Sequence, residues 1–226
     1  MTKPVLCVVT SSTVKGETGI PTGFWLSELT HPLKEIEDAG FKTVIASIKG
    51  SQAPIDKDSL DFNDPVNKYF WDETDLEQRL ANTPSVSELN GADYSAIFFA
   101  GGHGTMWDYR DSLDAQRLIR EVYENGGIVS AVCHGPAVLV DAKLSNGEYL
   151  VNGKNVAAFT NKEEDEVQGT AIVPFLLETA LVEHGAIHHE APNWSENVQV
   201  DGRLITGQNP ASAHKVGVEV VKALKA

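Results

Sequence analysis

The strongest chemical signal in the sequence is the pair Cys133-His134, inside Gly127-Ile-Val-Ser-Ala-Val-Cys-His-Gly-Pro-Ala-Val-Leu-Val140. A short apolar run that ends in small residues and proline predicts a strand, a sharp turn and a helix. Ala131 and Gly135 lie two positions either side of Cys133. That is the small-x-nucleophile-x-small spacing of a nucleophile elbow, where the turn brings the flanking backbones close together. Pro136 suits the first helical turn, where its missing N–H costs nothing. The sulfur would then stand at a helix N-terminus, where the dipole and free N–H groups favour thiolate over thiol. A buried structural cysteine would occupy the same kind of turn, but the adjacent histidine favours catalysis. Cys7, in the middle of the apolar run Val5-Leu-Cys-Val-Val9, has the opposite character and is expected to pack as a small apolar residue.

A nucleophile needs partners. Phe98-Phe-Ala-Gly-Gly-His-Gly104 ends another apolar run in a glycine-rich turn, whose backbone N–H groups could converge on a ligand. The backbone N–H groups of the turn Gly101-Gly-His-Gly104, with that of His134, are the oxyanion-hole candidates, and His103 in this turn is a substrate-binding candidate. Carboxylates offer two choices. Glu28 opens a helical pattern, where it could serve chemistry or simply complement the helix dipole. The run Glu163-Glu-Asp-Glu166 could supply an acid or form a solvated loop.

These groups need a scaffold that carries them to one place. Strands are expected at 5–10, 42–48, 96–100, 128–132, 156–160 and 204–206. Helices are expected at 28–39, 112–125, 136–141, 173–184 and 211–224. Such alternation predicts an α/β fold, with a mostly parallel sheet flanked by helices on both faces and ligands at the carboxyl ends of the strands. Residues 50–91 break the pattern. They are rich in Pro, Asp and Asn, and are expected to form short helices that cover one end of the sheet and narrow the site. Residues 163–169 are expected to be an acidic loop. No repeat or linker divides residues 1–226, so a single domain is expected.

Composition bounds the partners. The 226 residues are 42% hydrophobic and 22% charged, as in ordinary globular proteins. Eighteen basic and 32 acidic residues give a net charge of −14, which disfavours nucleic acid and anionic membrane surfaces. Neither a secretory leader nor an apolar run of membrane-spanning length is evident, and there are only two cysteines. A reducing, cytoplasmic setting is the expectation.

Ala131-Val-Cys-His-Gly-Pro136, Ala100-Gly-Gly-His-Gly104 and Glu28-Leu-Thr-His-Pro32 together resemble the ThiJ/PfpI superfamily, with its flavodoxin-like, class I glutamine amidotransferase-like sandwich. Asp201-Gly-Arg-Leu-Ile-Thr-Gly-Gln-Asn-Pro-Ala-Ser-Ala213 and the insertion resemble its glutathione-independent glyoxalase (glyoxalase III) branch, whose members are also described as heat-shock chaperones. The resemblance implies Cys133 as nucleophile, His134 as its catalytic histidine and Glu28 as the acid beside the sulfur. It implies Gly102 as an oxyanion-hole donor. The third triad member falls at Glu164 counting from Phe159-Thr160, or at Asp165 counting back from Gly169. The implied substrate is a small 2-oxoaldehyde such as methylglyoxal, converted to D-lactate without cofactor or metal. The pair His188-His189 is expected at the surface rather than in a metal site. Relatives are commonly dimers, so a homodimer is an expectation. A chaperone, a deglycase and a cysteine amidase or peptidase are the alternatives within the superfamily.

Overall fold

The computed structural model describes residues 3–226. Its centre is a six-stranded sheet in the spatial order β2-β1-β3-β4-β8-β7. The strands are β1 (Val5–Val9), β2 (Thr43–Ser47), β3 (Ala96–Phe99), β4 (Ile128–Val132), β7 (Val198–Asp201) and β8 (Leu204–Gly207). The first five strands in this order make four parallel pairs, and β7 pairs antiparallel with β8 at one edge. Residues of β1, β3, β4 and β8 are buried throughout, as expected for strands covered on both faces. A second, two-stranded sheet joins β5 (Asn155–Val156) to β6 (Ile187–His188).

The chain runs from β1 to β2 in one direction and from β3 through β4 in the other. Right-handed crossovers therefore place α1 (Leu26–Asp38) and α4 (Leu113–Glu124) on opposite faces. Strand order reverses between β1 and β3, and the crevice at such a switch point is where open α/β sheets bind ligands. Helix α1 turns Leu26, Leu29, Leu33 and Ile36 wholly inward, each contributing about 1.5–3 kcal/mol by burial. It packs against α7 (Ala213–Lys225), where a Cβ on Gly217 would come within 2.8 Å of the Pro32 Cα.

Five expected features differ in detail. Residues 157–160 are extended but leave the strand ladder. The Ala157 N–H donates to the Thr206 hydroxyl, and the Phe159 N–H donates to the Cys133 carbonyl. The helix expected at 136–141 is a five-residue 3-10 turn, Gly135–Leu139. The expected acidic loop at 163–169 opens as a helix, α5 (Asn161–Glu166), because Thr160 and Glu163 form a reciprocal capping box at its start. Edge strand β7 was not among the expected strands. The helix expected at 173–184 is shorter, α6 (Leu177–Glu183).

The 50–91 segment contains α2 (Pro65–Glu73) and α3 (Leu76–Ala81), as its composition suggested. It lies against α1 and β2 rather than over the site. The Phe24 N–H donates to the Pro54 carbonyl, the Asp56 N–H donates to the Phe24 carbonyl, and Ser59 Oγ accepts from the Leu26 N–H. Asp64 accepts from His31 at 2.7 Å. The insertion therefore fixes the segment that leads into α1, and with it Glu28. No helix among the described residues is long and apolar enough to cross a membrane.

Candidate active site

Cys133 follows β4 with φ +61°, a left-handed conformation that costs a non-glycine residue about 1–2 kcal/mol. Two backbone hydrogen bonds hold it there, from its own N–H to Gly207 O and from Phe159 N–H to its carbonyl, both 2.9 Å. Gly135 is required by space, because a Cβ there would sit 2.5 Å from Phe99 O. The elbow spacing thus reflects a real crowding of strand β3 against the turn.

His134 is buried, and its ring packs on Phe159 with centroids 4.1 Å apart. Its Nδ1 lies 3.4 Å from Cys133 Sγ, and its Nε2 lies 2.7 Å from Glu164 Oε2. His103 Nε2 lies 2.8 Å from Glu164 Oε1, so one carboxylate accepts an N–H from each of two imidazoles. This arrangement fixes His134 as the Nε2–H tautomer and leaves Nδ1 bare toward the sulfur. Burial and the neighbouring His103 depress the His134 pKa to about 4, against the pull of Glu164, so the ring is neutral at pH 7. Burial alone would raise Glu164, but hydrogen bonds from His103 and His134 outweigh it and hold the carboxyl well below its ordinary range. Gly169 faces this carboxylate so closely that a Cβ there would overlap Glu164 Oε1.

Helix α5 sorts the four acids. Asp165 is exposed. Buried Glu163 accepts through Oε1 from Trp194 N–H, Gln208 Nε2 and Asn209 Nδ2. Glu166 accepts from Asn193 and from the Trp194 indole N–H. The Gly207-Gln-Asn-Pro210 stretch, noticed in the sequence as a motif, thus works as a brace for α5.

Glu28 reaches the sulfur from the other side. Burial raises its pKa to about 8, opposed by the nearby Cys133 thiol and Gly101 backbone, so it carries a proton at neutral pH. Its Oε2 has no hydrogen-bond partner of its own. Cys133 is 4% exposed, and burial and the Glu28 carboxyl push its thiol well above the ordinary range, with the His134 N–H pulling the other way. This corrects the expected resting thiolate. The 3-10 turn after Cys133 supplies little dipole, and the Cys133–Glu28 pair holds its protons at neutral pH.

The buried Glu28 gives a pH signature in stability. Its proton is retained in the folded state up to about pH 8 but is lost near pH 4.5 in the unfolded chain. The stabilisation is therefore complete below pH 4.5 and disappears as pH rises through about 8. Between pH 7 and 9 the wild type should lose about 1 kcal/mol through this group, and Glu28→Gln should remove that share of the loss. His134 is neutral in the folded state, and its partial protonation near pH 7 in the unfolded chain affects both proteins alike, so it does not enter the difference. Denaturant titrations at the two pH values measure the difference. Equal losses in both proteins would contradict the assignment.

Gly102 has φ +100°, and a Cβ there would come within 2.6 Å of both Gly23 O and Trp25 N. Neither its N–H nor that of His134 donates to another backbone carbonyl among the described residues. Around these groups lies a cavity of about 110 Å³, lined by Trp25, Glu28, Gly102, His103, Cys133, His134, Phe159, Val167, Trp194 and Pro210. None of its walls comes from residues 50–91, so the insertion does not narrow the site, contrary to expectation. His103, expected as a substrate-binding residue of the glycine turn, lines the cavity and also holds Glu164 through its ring. Cys7 is fully buried in β1, with its thiol raised to about 12 by burial, as its apolar context implied. His103, His134 and Glu164 are the described side chains whose donor atoms converge closely enough to hold a metal ion. His188 and His189 stand apart from them. The His188 side chain is buried beside the Ala158 backbone rather than at the surface, and His189 pairs with Asn155.

Sequence reasoning missed Trp25, Phe159 and Trp194 as walls. Trp25 and Trp194 lie outside the periodic segments, where an aromatic residue carries no pattern to read, and Phe159 reads as an ordinary residue of the expected strand 156–160.

A nucleophile elbow beside an acid, at the switch point of a parallel sheet, defines the class of this protein. Residues 20–223 match the DJ-1/PfpI family, and the chain belongs to that family. It is 35% identical to the glutathione-independent glyoxalase HSP31 of Saccharomyces cerevisiae, over 99% of this chain and 98% of that protein. Its fold is similar to the crystal structure of glyoxalase III from Candida albicans, with TM-score 0.88 and 30% identity over 98% of this chain and 97% of that one. It is also similar to the Rapid Encystment Protein 24 kDa of Francisella tularensis, with TM-score 0.95 and 40% identity over 98% and 99% of the two chains.

Proposed function

We propose that the protein is a glutathione-independent glyoxalase, an enzyme that converts methylglyoxal or a similar 2-oxoaldehyde to the 2-hydroxy acid. The observation that carries this reading is the position of Cys133 Sγ. It lies 3.4 Å from a bare imidazole nitrogen and beside a protonated carboxyl, in a cavity of about 110 Å³. At ~30 Å³ per liquid water, that is the room of three or four waters, enough for a five-heavy-atom aldehyde and too little for a peptide.

The chemistry follows from the groups present. Cys133 adds to the aldehyde carbon as its proton passes to His134 Nδ1, and the developing alkoxide is held by the N–H groups of Gly102 and His134. That oxygen takes the proton back, giving a hemithioacetal. His134 then removes the hydrogen on the same carbon and passes it to the ketone oxygen, forming an enediol. Glu28 delivers its proton to the neighbouring carbon while His134 takes the hydroxyl proton from the first carbon, which leaves a thioester of the hydroxy acid. The former aldehyde carbon is oxidised and the former ketone carbon reduced, so no external redox partner is required. Glu28, now a carboxylate, draws a proton from the water that cleaves the thioester, and His134 returns its proton to the departing sulfur. Glu164 keeps His134 in the productive tautomer throughout. A reducing, cytoplasmic setting suits a free thiol, and a homodimer is compatible with this site.

The test is D-lactate release from methylglyoxal, with and without glutathione. The expected result is equal turnover in both. A strict requirement for glutathione would overturn the reading.

A further inference from the structure

Trp194 lies on the loop between β6 and β7, outside the reacting set, in a conformation that few tryptophans adopt. Its φ is +61°, and the residue is 41% exposed. A β-region alternative would relieve about 1–3 kcal/mol of backbone strain, so something must hold it. Two acids do. Glu163 Oε1 accepts its backbone N–H at 2.9 Å, and Glu166 Oε1 accepts its indole N–H at 2.9 Å. Both belong to α5, the helix that also presents Glu164 to His134. The clamp and the triad acid therefore share one rigid mount.

The indole faces Phe159, at 5.7 Å between centroids and 60° between planes, and Phe159 in turn packs on His134. Phe159 is buried and fixed between the two, whereas Trp194 has solvent behind it. Of the apolar cavity walls, Trp194 is thus one that can be removed without disturbing a neighbour of the sulfur.

We infer that Trp194 is the specificity-determining wall of the cavity, clamped by Glu163 and Glu166 so that only an oxoaldehyde with a small, apolar substituent reaches Cys133. This rests on the glyoxalase reading for the identity of the substrate, but not for the size limit, which concerns access to the sulfur alone.

Two measurements separate these. The first uses thiol reagents of different bulk. Iodoacetamide alkylates sulfur by displacing iodide, and N-phenylmaleimide by addition across its double bond; each modification is located at Cys133 by peptide mass spectrometry. Trp194→Gly removes the indole and suits the left-handed backbone. It should raise the N-phenylmaleimide rate relative to the iodoacetamide rate by about tenfold or more, the scale on which a pocket wall discriminates bulk. Trp194→Phe, which keeps an aromatic wall, should give a smaller rise, and Glu166→Ala, which frees the indole, a rise between wild type and Trp194→Gly. The second compares kcat/KM for phenylglyoxal and methylglyoxal, where Trp194→Gly should shift the ratio in the same direction, mainly through KM. An unchanged reagent ratio in Trp194→Gly and Trp194→Phe, with thermal midpoints near wild type, overturns the wall. A shifted reagent ratio without oxoaldehyde turnover in any variant upholds the wall and removes the glyoxalase reading.

Discussion

Replacing Cys133 by alanine should lower glutathione-free loss of methylglyoxal by at least about 10⁴-fold, the scale on which removal of a covalent nucleophile acts. The fold should persist. Alanine tolerates the left-handed turn about as well as cysteine, and the backbone hydrogen bonds that fix it, from Phe159 and to Gly207, do not involve the sulfur. Circular dichroism and a thermal melt would confirm this, while D-lactate release reports the chemistry. A mass increment at the Cys133 peptide after brief exposure to methylglyoxal should appear in the wild type and be absent from the variant. Wild-type turnover in Cys133→Ala would mean that the sulfur is a bystander and that the covalent route is wrong.

Glu164→Gln should be the next most damaging change, lowering kcat by about 10²–10⁴-fold. The carboxylate accepts from two imidazole N–H groups at once. A carboxamide offers one oxygen and one NH₂, so one imidazole must face a donor. Either His134 turns its tautomer, moving a proton onto the nitrogen that faces Cys133, or His103 lets go. The anion that supports a transient His134 imidazolium is lost as well. Asp165→Asn, on an exposed side chain one residue away, should stay within about twofold of wild type, as surface changes usually do. The pair of variants distinguishes the two positions that the sequence left open for the triad acid. Comparable losses in both would point to damage to α5 rather than to loss of a partner for His134.

The ladder of parallel strands was legible because β1, β3 and β4 are short apolar runs bounded by turn residues, and burial on both faces leaves that composition. The elbow was legible because crowding at Phe99 permits only glycine at position 135. Residues 156–160 look like a buried strand, yet most of their backbone groups pair with a side chain and with the turn at Cys133 instead of a neighbouring strand. Periodicity cannot register that difference. Nor could it read α5, six residues long, whose existence depends on the Thr160–Glu163 cap. The state of the sulfur depended on how deeply Glu28 is buried beside it, which is a fact of packing. The insertion was recognised as structured, but its position against α1 comes from long-range pairings such as His31 with Asp64.

The order of strands also governs when the site can exist during folding. Strand β4 carries the nucleophile and lies between β3 and β8, and Cys133 is tied directly to Gly207. A chain emerging from the ribosome therefore completes β4 long before its second neighbour arrives. Until then β4 is an open edge of the growing sheet, with unpaired amides and an unformed elbow. Glu164, Trp194 and the Gln208–Asn209 brace also come after it in the chain. Closure of the β4–β8 ladder is a late, long-range event, slow in the way that non-local strand pairing is. The turn at Cys133 and the carboxylate that orients His134 are complete only when nearly the whole chain is in place, so incomplete chains have a cysteine but no finished catalyst.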